Sequence, residues 1–291
     1  MKHRIENDFL RVDIEEKGAE LLSVVLKKTG KEHLWQGDET FWPRRAPLLF
    51  PIVGRLKNDT MTFNGKEYHM SQHGFARDLV FELEQIRDHS IVLSCHSTEN
   101  TRQKFPFDWK LTCNYTLEGN KLKVSASVTN TSASDLMYFS IGFHPGFVLP
   151  MDEGLAFDDY LLYFNKDHSA KRWKIEGTLI GDQESTNTIT NHQVQLSHAL
   201  FETDALVFKD LKSDEIIIKN LKTDSRLHFA FQNFPFLGIW TKPGAPYLCL
   251  EPWHGIADSI YHKGDFTQKE GILKLDPNKT FQCGYSVEIV Q

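Results

Sequence analysis

Four short segments of this 291-residue chain join a glycine or proline to an ionisable side chain, three of them with an aromatic ring as well. They are Pro51-Ile52-Val53-Gly54-Arg55-Leu56, Ser71-Gln72-His73-Gly74-Phe75-Ala76-Arg77-Asp78, Ser140-Ile141-Gly142-Phe143-His144-Pro145-Gly146-Phe147 and Leu248-Cys249-Leu250-Glu251-Pro252-Trp253-His254-Gly255. Aromatic faces pack on the C–H faces of a pyranose, while Arg, His and Glu bond its hydroxyls. Phe75, Phe143, Phe147, Trp240 and Trp253 supply rings within or beside these segments; each is equally a candidate core aromatic. Glu251 follows the apolar run Tyr247-Leu248-Cys249-Leu250. A carboxylate at the end of a buried strand loses solvation, so its pKa rises toward that of a useful base near neutral pH. The same residue could instead form an ion pair with Arg44, Arg45, Arg55 or Arg77. Among 13 histidines, His73 and His144 stand beside glycine, where the backbone can turn sharply and carry a side chain into a cleft. His144-Pro145-Gly146 also reads as a plain turn whose imidazole caps a carbonyl. Arg44-Arg45 is a candidate anion site or a solvated basic turn.

These segments interrupt a chain dominated by strand signals. Asn7–Ile14 and Lys121–Asn130 alternate polar with apolar residues, the period of a half-buried strand. Ser90–Cys95, Trp109–Tyr115, Glu215–Lys219 and Arg226–Phe231 are short runs rich in β-branched and aromatic residues. Thr29-Gly30-Lys31, Asn64-Gly65 and Glu118-Gly119-Asn120 have hairpin chemistry. No run of 12 or more residues carries a clean helical period, and only short turns are expected after Asp38-Glu39-Thr40 and near His198–Phe201. The pattern predicts an all-β chain: a large antiparallel β-sandwich or barrel, one domain over residues 1–291. Residues 152–193, the most polar and least patterned, are expected to form loops and irregular strands across one face of the sheet.

Composition narrows the function classes. Lys+Arg is 33 against 39 Asp+Glu, a net charge of −6, which disfavours nucleic acid as a partner. No apolar run approaches a membrane span, and no apolar stretch follows the basic start, so neither a membrane partner nor secretion is expected. Cys95, Cys113, Cys249 and Cys283 lack C-x-x-C spacing and are expected as buried free thiols in a reducing cytoplasm.

Taken in order, the segments resemble the aldose 1-epimerase (galactose mutarotase-like) family. Gly54-Arg55 resembles its early Gly-Arg, Asn64-Gly65-Lys66-Glu67-Tyr68 its hairpin turn, and His73-Gly74 its first active-site histidine. His144-Pro145 resembles the second histidine and Glu251-Pro252 the late glutamate. The resemblance runs from about Phe9 to the last strand. With Phe75-Ala76-Arg77 and Phe143-His144-Pro145-Gly146-Phe147, the chain looks more like a divergent bacterial branch, whose members are encoded with lactose or other sugar pathways.

The resemblance implies a supersandwich fold and interconversion of the α and β anomers of an aldohexose, without cofactor or metal. It implies Glu251 as general base on the C1 hydroxyl and His144 as general acid on O5, with His73, Arg55, Arg77 and Asp204 bonding the sugar and Phe75 and Trp253 packing on it. Asp204, in Thr203-Asp204-Ala205, is equally a turn residue ahead of a strand. The small-molecule partner is a sugar, free or phosphorylated, on a monomer or homodimer. Unperturbed Glu and His titrate near ~4.3 and ~6.5, and mutual attraction favours carboxylate and imidazolium. Three alternatives stand beside this reading. A hexose-6-phosphate mutarotase would use Arg44 and Arg45. A non-catalytic carbohydrate-binding protein would keep the aromatic platforms. A glycoside hydrolase would pair Glu251 with Asp204. A metal site through His73, His144 and His254 lacks supporting spacing.

Overall fold

A computed structural model describes all of residues 1–291. Two large antiparallel sheets enclose most of the apolar residues. The first has eleven strands and includes, as neighbours, Glu215–Asn220, Arg226–Ala230, Thr280–Val290, Lys121–Asn130, Trp109–Glu118, Ser90–His96 and Glu82–Arg87. The second carries the site and has eight strands: β1 (Leu48–Leu49), β2 (Ile141–Phe143), β3 (Gly146–Val148), β4 (Trp173–Glu176), β5 (Leu179–Gln183), β6 (Leu206–Lys209), β7 (Phe236–Trp240) and β8 (Tyr247–His254). Their order is β5-β4-β6-β7-β8-β2-β1, with β3 also paired to β8. A separate meander of Lys2–Glu6, Leu10–Glu15, Leu21–Leu26 and Lys31–Glu32 precedes them.

The two-residue side-chain period of a strand decides what the second sheet does with each face. In β8, Leu248 and Leu250 enter the main core, together with Leu237 and Ile239 of β7 and Leu206 and Phe208 of β6. That core also takes Leu111, Val124, Phe229 and Val287 from the eleven-stranded sheet, so the two sheets share one apolar interior. The alternate residues of the same strands, Val207, Trp240, Glu251 and Trp253, line a cavity on the opposite face. Every residue of β8 from Tyr247 to Trp253 is buried, because loops roof the second face.

The hairpins form where turn chemistry predicts them: Glu118 pairs with Lys121, Phe63 with Lys66, and Leu26 with Lys31. Residues 152–193 are more regular than expected. They contain β4 and β5, whose Ile175 and Ile180 wall the cavity. All four cysteines are unpaired, with Cys283 only half-buried and the others buried. No helix is long and apolar enough to cross a membrane.

Candidate active site

A cavity of about 470 Å³ opens on the second face of the eight-stranded sheet. Glu251 and His144 meet at its floor because of strand register. Gly142 of β2 pairs with Trp253, and Gly146 of β3 pairs with Cys249. The three intervening residues on each side therefore face one another, and the break at His144-Pro145 lies opposite Leu250-Glu251, with Leu250 N–H donating to the Pro145 carbonyl at 3.2 Å. His144 Nε2 stands 3.2 Å from Glu251 Oε2. Their relative exposures are 8% and 2%, so water cannot screen the contact.

Glycine makes room for the cavity wall beside them. A Cβ on Gly142 would lie 2.6 Å from the Trp253 ring, and one on Gly238 would lie 2.4 Å from its far edge. The indole of Trp253 thus lies over two side-chain-free positions on the flanking strands. On the other side, Trp42 stacks on His144 at 4.7 Å and 27°, and Trp240 meets the same imidazole edge-on at 5.8 Å. The ring is packed between aromatic faces, and its Nδ1 is buried with no partner.

His73 reaches the cavity from a strained turn. Its φ is +67° and that of Gly74 is +71°. A side chain at Gly74 would strike the Phe50 carbonyl oxygen at 2.3 Å, so glycine is required there. Gly54 clasps this turn twice: it accepts from the His73 backbone N–H at 2.8 Å and donates its own N–H to His73 Nδ1 at 3.2 Å. With Nδ1 an acceptor, the neutral ring carries its proton on Nε2, as a donor. Burial, followed by the charges of His144, Arg77 and Arg44, holds His73 well below the ordinary histidine pKa.

The same desolvation acts on the central pair. It lowers His144 to about 3 and, with the Asp204 carboxylate adding to it and the Trp253 indole opposing it, raises Glu251 well above the usual carboxylate range. Burial therefore favours a neutral carboxyl beside a neutral imidazole, where mutual attraction alone predicts an ion pair. The two arrangements hold the same number of protons and differ only in where one of them sits.

Of the residues singled out from sequence, Glu251, His144, His73, Arg77, Asp204 and Trp253 all line this cavity. Arg77 donates to the Gln72 carbonyl at 2.7 Å, while its Nε is buried without a partner. Asp204 accepts from the Ala205 N–H at 2.6 Å, and burial raises its pKa. Arg55 and Phe75 stand elsewhere. Arg55 grips Asp59 through two hydrogen bonds of 2.7 Å, four residues along a tight turn. Phe75 packs against Phe105 and Trp109, on the core side of its loop. Arg44 pairs with Asp78 at 2.9 Å and Arg45 donates to the Gln36 carbonyl at 2.9 Å; neither lines the cavity. His254 points away, between Phe234 and Phe281.

Trp42 and Gln72 line the cavity without having been singled out. Trp42 lies on a loop without periodicity, and nothing in its neighbours marks it. Gln72, next to His73, could have been noticed from its position alone.

A family model described as aldose 1-epimerase matches residues 1–274. The plasmid-encoded protein LacX of Lactococcus lactis subsp. lactis is 31% identical over 299 aligned positions, covering 100% of both chains. The galactose mutarotase related enzyme of Lactobacillus acidophilus superposes with a TM-score of 0.95 at 37% identity, over 100% of this chain and 98% of that one. A galactose mutarotase-like protein of Lactobacillus casei gives 0.92 at 31% identity, over 100% of both. The architecture is that of a galactose mutarotase-like β-sandwich.

Proposed function

The chain belongs to the aldose 1-epimerase family, and from that premise we propose that it interconverts the α and β anomers of an aldohexose through the His144–Glu251 pair. The observation that carries this reading is the 3.2 Å contact between imidazole and carboxyl at the floor of a sugar-sized cavity. Ring opening takes a proton from O1 and gives one to O5. Both oxygens are bonded to C1, so the acceptor and the donor must themselves be neighbours. A pair in mutual contact meets that requirement, and it needs no net gain or loss of protons over a cycle.

Glu251 takes the O1 proton, C1=O forms as the C1–O5 bond breaks, and His144 protonates O5. Rotation about C1–C2 presents the other carbonyl face, and the same two groups reverse their roles on closure. The reaction needs the proton on His144 before opening, whereas burial by itself favours it on Glu251. Bound sugar hydroxyls donate to the carboxylate, favouring its charged form and sending the proton to the imidazole. His73 Nε2–H and Arg77 support charge at the ring oxygen and hydroxyls, Asp204 accepts from a hydroxyl, and Trp253 gives the sugar an apolar face. The four unpaired cysteines fit a reducing compartment such as the cytoplasm.

A second reading concerns the substrate. Arg77 has a buried, unpartnered Nε at the cavity wall, and Arg44 lies close enough to depress both site histidines. That cationic side suits a sugar carrying an anion, such as a hexose 6-phosphate. Anomer exchange measured by NMR over free and 6-phosphorylated hexoses tests both readings. Exchange accelerated for at least one sugar is expected. A preference for the phosphorylated sugar that vanishes in Arg77→Ala selects the second reading, and sugar binding without acceleration for any of them points to a binding protein.

A further inference from the structure

Cys249 takes no part in the reaction proposed above, yet it stands beside the reacting groups. It is fully buried, two residues before Glu251 and on the same face of β8. Its Sγ, a ring nitrogen of His144 and a carboxylate oxygen of Glu251 lie within 4.8 Å of one another. Across the strand pair stands Gly146, where a Cβ would come within 3.3 Å of Sγ, so the absence of a side chain leaves the sulfur uncrowded.

Thiolate, imidazole and carboxylate form the donor set of a borderline-soft divalent cation. The spacing suits one as well. Ligand atoms at about 2.0–2.2 Å from a tetrahedral zinc ion stand roughly 3.3–3.6 Å apart, close to the 3.2 Å between His144 and Glu251. A dication bound by one thiolate and one carboxylate is neutral overall, so the site could hold it without burying net charge. The ligands come from β8 and from the break between β2 and β3 that faces it, which is why no local spacing in the sequence displays them.

We propose that Cys249, His144 and Glu251 bind a Zn²⁺-like cation between them, and that the bound ion blocks the acid–base pair. Binding replaces the thiol and carboxyl protons with metal bonds and releases them to solvent. The block rests on the epimerase reading; the binding does not.

Titration of the full chain with Cd²⁺ and Co²⁺ tests the site. The wild type should bind one equivalent, giving a thiolate-to-metal charge-transfer band with Cd²⁺ and tetrahedral visible bands with Co²⁺. Cys249→Ala should abolish both. Glu251→Gln should weaken binding by roughly 10-fold or more, since losing a ligand costs at least what losing an outer partner does. Circular dichroism checks that both variants are folded. No band at millimolar Cd²⁺ would overturn the site. So would a band that persists in Cys249→Ala, which places the metal on another cysteine, or one that Glu251→Gln leaves untouched, which indicates an isolated thiol. The ratio of anomer-exchange rates with and without Zn²⁺ should fall severalfold below one in the wild type and return to one in Cys249→Ala. Metal binding without any anomer exchange would sink the epimerase reading alone; exchange without metal binding would sink the metal site alone.

Discussion

Glu251 and His144 invert the behaviour of their free side chains. Each is more easily neutral than charged, because the cavity floor offers aromatic rings and few donors. If one shared proton is the working unit, its loss or doubling should set the pH limits of activity. A second proton reaches His144 only near pH 3, and Glu251 gives up its own only well above 4.5. The kcat/KM profile should therefore show no acid limb above about pH 5. An acid limb centred near ~6.5 would instead show His144 titrating as a solvated imidazole. Arg55 provides the contrast. Both hydrogen bonds recorded for its guanidinium go to Asp59, at the surface. Arg55→Ala should leave kcat and KM within about twofold and cost about 1 kcal/mol or less in a denaturant melt. A large loss of kcat would return Arg55 to the site. From sequence, the Gly-Arg motif made it a sugar contact; Asp59, four residues on, already offered the nearer partner.

At the scale of the element, the strands were the legible part. Lys121–Asn130 forms over the residues whose alternation predicts it, and Ser90–Cys95 and Glu215–Lys219 each extend by one residue. Local pattern suffices there because one face of each strand is buried and the register cannot slip without exposing it. The cavity was less legible, since its walls join strands distant in sequence. Trp42 over His144 depends on a loop that no period describes. The role of the glycines under Trp253 was likewise silent until register was known: Gly142 on β2 and Gly238 on β7 flank β8, and both sit against one indole. Gly238→Ala would drive a methyl into that ring. It should destabilise the fold by about 1–3 kcal/mol, the usual penalty of overpacking. It should also raise KM for the sugar as the indole shifts into the cavity. An unchanged KM in a folded variant would mean that Trp253 does not shape the sugar site.

Over the whole molecule, neutral burial of histidine carries a cost in acid. His33 and His254 are lowered to about 4 and His144 to about 3, with His73 also well below its ordinary value, in each case chiefly by burial. Below the ordinary value of about 6.5 the unfolded chain binds protons that the folded chain refuses, so each group removes at most about 1.4 kcal/mol of stability per pH unit. Glu251 works in the opposite sense. Its raised pKa keeps it protonated in the fold while the unfolded carboxyl ionises, so falling pH favours the folded state until the unfolded group also protonates near 4.5. Four histidines outweigh Glu251 and Asp204, the second carboxyl that burial raises, in this window. Calorimetry should show Tm dropping steadily from about pH 7 to 5. A level Tm over that range would show that these histidines are not held neutral.

The central claim is that residues 144 and 251, holding one proton between them, take a proton from O1 as they give one to O5. Its most direct test is the rate at which freshly dissolved α-D-glucose or α-D-galactose approaches anomeric equilibrium by polarimetry, with wild-type protein and with a folded Glu251→Gln variant. The account predicts acceleration by the wild type and a loss of about 10²–10⁴-fold in the variant. Equal acceleration by both proteins would contradict it.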